Sequence, residues 1–378
     1  MEQEILVPPR DFLHILSISQ PEDRPQLIDL RSPKEYQEGH LPYSINSPIL
    51  NNEERHLVGT IYKQQGSEAA IDLGHSLVGP SKEERIQGWL SLKDPLFVAC
   101  WRGGLRSRIA SQWIRERGRK VYRIEGGYKA LRQELLSVLS HPPQLLILAG
   151  WTGSGKTQLL TSLQVPKVDI EALAHHRGSA LGEILNPSGY PENQNSQSSF
   201  ENALAMALWN EHLTYLLEDE STRIGHLNLP ATLKTKMKIS PVVFVEATED
   251  ERSQQLYQDY VLAPLIAGVS IPALKNHYIS RINYMQRRLG GLKTKELCSE
   301  IEKAFQEELS FEAHRTWIYR LLTEHYDRAY QYSFEQLDRP ILFRGSLEAC
   351  RDFIQKELSP WRIAQNDQSP TNHPLEHP

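Results

Sequence analysis

Cysteine is scarce in this chain, with three residues, Cys100, Cys298 and Cys350, among 378. Three scattered thiols make neither a disulfide framework nor a zinc site, so reduced thiols are expected. Long apolar runs are also missing. No stretch approaches the roughly 20 residues needed to span a bilayer, and the opening Met1-Glu2-Gln3-Glu4 lacks the positive and apolar segments of a secretory signal. The expectation is a cytoplasmic protein with no membrane contact. Nor is there an excess of positive charge: 42 Lys and Arg face 47 Asp and Glu, a net charge of −5 that argues against indiscriminate nucleic-acid binding.

The composition that is present, 39% hydrophobic and 24% charged, is that of a globular protein. At about 150 residues per domain, the length suggests two domains. Charge is distributed unevenly. Between Arg102 and Arg132 stand ten Lys or Arg against two acids, Glu116 and Glu125. Leu27–Leu30 and Pro95–Ala99 read as short buried strands, residues 108–117 as a helix and Val121–Ile124 as a strand. Strands alternating with helices predict a parallel sheet. The prolines of His141-Pro142-Pro143-Gln144 mark a domain boundary. Beyond it, Leu145–Ala149 is an unbroken apolar run typical of a central parallel strand. Ser198 and Glu201 have capping-box spacing for a helix from about Phe200, Pro241–Glu246 reads as another strand, and residues 271–332 are mostly helical. Lys234, Lys236 and Lys238 alternate as on an exposed strand. The expected division is 1–140, 141–358 and a disordered tail over 359–378, which carries four prolines.

Two motifs carry chemistry. Cys100 ends a strand, and the loop after it, Trp101-Arg102-Gly103-Gly104-Leu105-Arg106-Ser107, leads into a helix. Converging amide groups and a helix N-terminus favour an anion there and would populate the thiolate. Cys100 is the candidate nucleophile, with Arg102 and Arg106 as anion-stabilising partners. The second motif, Gly150-Trp151-Thr152-Gly153-Ser154-Gly155-Lys156-Thr157, is a complete P-loop between an apolar strand and a helix-compatible run. Gly150, Gly153, Ser154, Gly155, Lys156 and Thr157 would cradle a diphosphate, with magnesium on Thr157 and either Asp169 or the Glu218-Asp219-Glu220 run as acidic partner. No protein-ligated metal site is expected.

Residues 29–46, Asp29-Leu30-Arg31-Ser32-Pro33-Lys34-Glu35-Tyr36-Gln37-Glu38-Gly39-His40-Leu41-Pro42-Tyr43-Ser44-Ile45-Asn46, resemble the first signature of rhodanese domains, and Glu125-Gly126-Gly127-Tyr128 their closing motif. That resemblance implies a chalcogen carried on Cys100 as a persulfide-type intermediate, with Asp29, Arg31, Glu35 and His40 structural. Five residues separate Cys100 from Arg106. This loop is longer than the common rhodanese one and has the C-x5-R spacing of cysteine phosphatases, so a larger tetrahedral anion, phosphate or selenophosphate, fits better than thiosulfate.

Strings across residues 25–346, among them His176-Arg177-Gly178-Ser179-Ala180 and Phe343-Arg344-Gly345, resemble the tRNA 2-selenouridine synthase family. The resemblance implies an α/β chain, with a rhodanese-like parallel-sheet domain followed by a P-loop NTPase-like α/β domain whose C-terminal part is helical. It further implies selenium transfer from selenophosphate to the wobble 2-thiouridine of tRNA, with geranyl diphosphate as a second substrate that forms an S-geranyl intermediate. Arg108, Arg115, Arg117, Arg119 and Lys120, or the three lysines at 234–238, would then meet the tRNA backbone. A C-x5-R phosphatase or a sulfurtransferase fused to a P-loop kinase remains the rival reading. A nucleotide-switched RNA-binding scaffold with an inert rhodanese module is the non-enzymatic one.

Overall fold

The computed structural model describes residues 4–306 and 309–358; the tail expected over 359–378 lies outside them. The chain divides into two compact units. The first comprises residues 1–141 together with Ser196–Trp209, and the second comprises 142–195 and everything from Asn210 onward. The boundary falls within the proline-bearing linker. The return of residues 196–209 to the first unit departs from the contiguous 141–358 domain expected from sequence.

Five short strands form the sheet of the first unit: β1 (Ile5–Val7), β2 (Gln26–Asp29), β3 (Ser44–Asn46), β4 (Leu96–Ala99) and β5 (Tyr122–Ile124). Their order is β1-β5-β4-β2-β3, parallel throughout. Every residue of β4 is buried, as a central strand covered on both faces requires. Trp89 fills the core beside Ile28, Val98 and Ile114, and its indole N–H donates to Ser47 Oγ at 2.9 Å. The tyrosine-rich signature after β2 forms a short helix, Pro33–Gln37, opened by a reciprocal cap between Ser32 and Glu35. The helix expected near Phe200 spans Gln197–Ala207. Its cap is Ser196, which accepts from Ser199 N at 3.2 Å, and not Ser198. Glu201 is drawn instead to Arg132 at 2.5 Å.

The second unit is built on β6 (Gln144–Gly150), β7 (Lys167–Val168), β8 (Thr214–Glu218), β11 (Val242–Val245) and β12 (Ile341–Gly345), with a two-stranded ribbon of β9 (Arg223–Ile224) and β10 (Leu227–Asn228). The main sheet runs β12-β11-β6-β8-β7, all parallel. Leu148 of β6 lies opposite Glu218 of β8, so the end of β8 reaches the loop that follows β6. The lysines at 234, 236 and 238 lie on a helix, Ala231–Ile239, and not on a strand. Leu233 and Met237, four apart and fully buried, set the helical period there. Between β11 and β12 the chain is helical. Tyr260, Tyr278, Ile282, Trp317 and Ile318 centre its core.

Candidate functional sites: the Cys100 loop and the P-loop

In the first unit Cys100 follows the central strand, with 3% of the residue exposed. Its Sγ lies 3.3 Å from Ser107 Oγ, which in turn donates to Gly104 O at 3.0 Å. The loop is closed from β5. Tyr128 N donates to Cys100 O at 2.8 Å and Lys129 N to Trp101 O at 3.0 Å. Gly127 has φ of 60°, and a Cβ there would overlap the Cys100 carbonyl oxygen. Glycine is required on both counts. Gly103, at φ of 63°, meets Gly126 N and Ile124 O in the same way.

Arg106 does not point freely into the loop. Its two terminal nitrogens hold the Glu35 carboxylate, at 2.6 and 3.2 Å. Burial would raise the Glu35 carboxyl, but the hydrogen bond and charge of Arg106 outweigh it and hold the group at about 2. Burial alone would lower the Arg106 pKa; the Glu35 carboxylate raises it. Arg106 thus anchors the signature to the loop. Arg102 is exposed at the loop mouth. Arg31 is buried against Asp29 at 2.6 Å, donates to Gly39 O at 2.7 Å and lies 3.6 Å under the Tyr128 ring. His40 is tied by its N–H to Ser199 Oγ. Asp29, Arg31, Glu35 and His40 all hold structure around the thiol.

Several arginines after Cys100 are committed locally. Arg119 donates to the carbonyls of Trp89 and Leu90 and pairs with Asp94, Arg117 pairs with Glu83, and Arg132 with Glu201. Arg102 and Arg108 are left at the surface.

In the second unit the P-loop wraps the end of β6. Lys156 Nζ donates to Gly150 O at 2.9 Å and Trp151 O at 3.0 Å. Thr157 Oγ1 donates to Glu218 Oε2 at 3.2 Å, so the acidic partner comes from the end of β8. Asp169 instead caps a short helix, accepting from Ala172 N at 2.9 Å. Gly153 and Gly155 have φ of 79° and 80°. Gly150 is packed so closely on Val245 that a Cβ would lie 2.7 Å from its carbonyl oxygen, and Ser154 is buried within the loop.

Three carboxyls crowd the loop. Burial pushes Glu218 up to about 7 against the pull of Lys156; burial and the charges of Glu220 and Glu218 raise Glu171, and burial with the charge of Asp219 raises Glu220. These groups line a cavity of about 460 Å³ with Lys156 and Thr157 on one side and Tyr260, Tyr326 and Tyr330 on another. Among the described residues, no group of three or more His, Cys, Asp or Glu is arranged to hold a metal ion.

The "tRNA 2-selenouridine synthase AAA domain" profile matches residues 143–360, and that of the rhodanese-like domain matches residues 17–134. A protein of Shewanella denitrificans named tRNA 2-selenouridine synthase is 39% identical, across 93% of this chain and 99% of its own length. Its namesake in Shewanella oneidensis is 36% identical, across 92% and 95%. This chain belongs to the tRNA 2-selenouridine synthase family. Its architecture within that family is mixed α/β, with a rhodanese unit, a P-loop unit on a parallel sheet and a helical C-terminal part.

Sequence motifs alone leave out much of what holds the two loops. Tyr330 accepts from Gly150 N at 3.1 Å and donates to Asp219 at 3.3 Å, and Arg339 grips Asp219 at 2.7 and 3.0 Å. Burial and Asp219 keep the Tyr330 phenol protonated. Arg252 donates to Thr152 O at 2.9 Å while pairing with Asp327. All three residues come from the helical part or its edge. No helix among the described residues is long and apolar enough to cross a membrane.

Proposed function

We propose that this member of the family replaces the sulfur of wobble 2-thiouridine in tRNA with selenium, using selenophosphate and geranyl diphosphate at two separate sites. The buried Cys100 thiol, at the floor of a C-x5-R loop, is the observation that carries the selenium step. Arg102, Arg106 and the loop amides would stabilise the tetrahedral anion and the negative charge that develops on it. Selenium enters and leaves the overall exchange at the selenide level: hydroselenide replaces geranylthiolate at C2, and the phosphoryl group departs as phosphate with water. Holding selenium on Cys100 as an S–Se bond removes two electrons, which an external thiol-disulfide couple must accept and return.

For the first step the sulfur attacks C1 of the geranyl group, the C–O bond breaks and diphosphate leaves. Lys156 and Gly153 line the cavity in which the departing diphosphate would sit, and the tyrosines of that cavity would offer an apolar surface to the prenyl chain. Gly150 sets the loop entry. Magnesium fits the residues present, because Thr157 Oγ1 is paired to Glu218, whose second oxygen is buried without a hydrogen-bond partner. When bound, the ion would offset diphosphate charge. With tRNA as its substrate, the enzyme would work in the cytoplasm.

The test is nucleoside mass analysis of thiolated tRNA incubated with selenophosphate and geranyl diphosphate, separately and together. Lys156→Ala should lose S-geranyl-2-thiouridine formation by a factor of about 10²–10³ yet still selenylate pre-geranylated tRNA. Cys100→Ala should accumulate the geranylated nucleoside. Loss of the same step in both variants would overturn the division.

A further inference from the structure

Beside the P-loop cavity the second unit holds another, about 880 Å³ in volume, within the range of about 300–1,000 Å³ common for ligand sites. It lies between the β9–β10 ribbon and the corner joining helices Ile271–Tyr284 and Gly291–Ala304. Four arginines line it: Arg223 from the ribbon, Arg281 from the first helix, and Arg287 and Arg288 from the corner. Glu183, paired with Arg281 at 3.0 Å, is its one acidic lining residue among those described. Arg223, Arg287 and Arg288 are exposed, and none forms an ion pair with a described carboxylate. In a chain of net charge −5 this concentration of unneutralised guanidinium is an anion site by composition.

Three further features narrow the ligand. Tyr284, 79% exposed and with the Arg281 guanidinium 5.2 Å from its ring, offers a flat surface for a base. His176 lines the cavity with 4% exposure, and its Nδ1 is buried with no hydrogen-bond partner. An unpartnered buried polar atom at a cavity wall is costly unless a ligand completes it. Finally, Gly178, Ser179, Ala180, Ser221 and Arg288 line both this cavity and the P-loop cavity, so the two adjoin across a rim of small residues.

The walls are built to stay in place. Met285 is buried in the helical core, and Leu289 packs against it, which pins the corner carrying Arg287 and Arg288. The ribbon is held by Gln194, whose amide donates to Ala174 O at 2.8 Å and Ile224 O at 3.2 Å and accepts from His226 N at 2.8 Å.

We propose that this cavity is the RNA site of the second unit: the arginines take the backbone phosphates, Tyr284 stacks a base, and the target uridine reaches the P-loop cavity across the Gly178–Ala180 rim. The proposal rests on the reading of the chain as an RNA-modifying enzyme. Phosphate contacts fix a strand in register, while stacking and a buried imidazole suit an unpaired nucleotide and not a duplex.

Fluorescence anisotropy with labelled tRNA and with its isolated anticodon stem-loop, over a series of salt concentrations, tests it on the full-length protein. Arg287→Glu should raise Kd at least about tenfold and flatten the salt dependence by about one unit of log–log slope. Arg223→Gln, a milder change on the opposite wall, should move Kd in the same direction. Lys356→Glu, matched in charge to Arg287→Glu but on the helix Leu347–Leu358 and outside the cavity lining, should change Kd less than about twofold. Excess mononucleotide should not displace the RNA. If wild type binds RNA and both arginine variants bind as tightly, the site is wrong while the RNA-modifying reading stands. Equal loss in Lys356→Glu, or displacement by mononucleotide, also overturns the site. If wild type binds no RNA, both fall.

Discussion

At the scale of single residues, the thiol loop depends on two contacts that substitution should expose. Gly127→Ala places a Cβ against the Cys100 carbonyl at a left-handed backbone position. It should destabilise the first unit by about 3 kcal/mol or more, since strain and overlap add; the midpoint of denaturant unfolding measures it. Glu35 offers a pH test. Its carboxyl is held at about 2, below the ordinary 4.5, so its contribution is full above 4.5 and is lost as pH falls toward 2. Glu35→Gln should lower stability above pH 4.5 and flatten the acid limb below it, and an unchanged acid limb would mean that the Arg106 pair contributes nothing. The two candidate loops are legible because Cys100 and Lys156 sit in contiguous motifs. The partner of Arg106 lies 71 positions away and that of Gly150 lies 180 away, separations over which no local pattern speaks.

Among the elements, the P-loop is held in shape by residues from the far end of the second unit. Tyr330→Phe removes the acceptor of the Gly150 N–H and a donor to Asp219. About 1–2 kcal/mol of stability should go with it, and diphosphate affinity, read by calorimetry, should fall while the Cys100 loop is untouched. Strands β4 and β6 were readable as apolar runs because central parallel strands bury both faces. The helix Ala231–Ile239 was misread because its three lysines alternate. Lys234 and Lys238, four apart, share a helical face with period 3.6, and only the burial of Leu233 and Met237 reveals which period applies.

For the molecule as a whole, the unit boundaries are the least legible feature. Nothing in the composition of Ser196–Trp209 says that its helix belongs with the first unit. The assignment depends on distant pairings: Arg132 with Asn202 at 2.8 Å, Asn202 with His40 O at 2.8 Å and with Tyr128 at 3.1 Å. Phe200, Leu204, Ala205 and Leu208 are fully buried. A fragment ending at His141 should therefore bind hydrophobic dye and melt several degrees below the same fragment carrying residues 196–209 on a flexible linker, since each large apolar side chain left without cover forfeits about 1.5–3 kcal/mol. Equal melting temperatures would show that the helix is dispensable.

That interleaving has a consequence for synthesis. A domain encoded in one continuous stretch can fold as soon as its last residue leaves the ribosome. Here the first unit must wait for Trp209, by which point β6 and the P-loop have already emerged without β8 and β11, their neighbours in the sheet. Until then the nascent chain carries a five-stranded sheet complete in its strands but still lacking the helix Gln197–Ala207, beside the first strands of a second sheet without their neighbours.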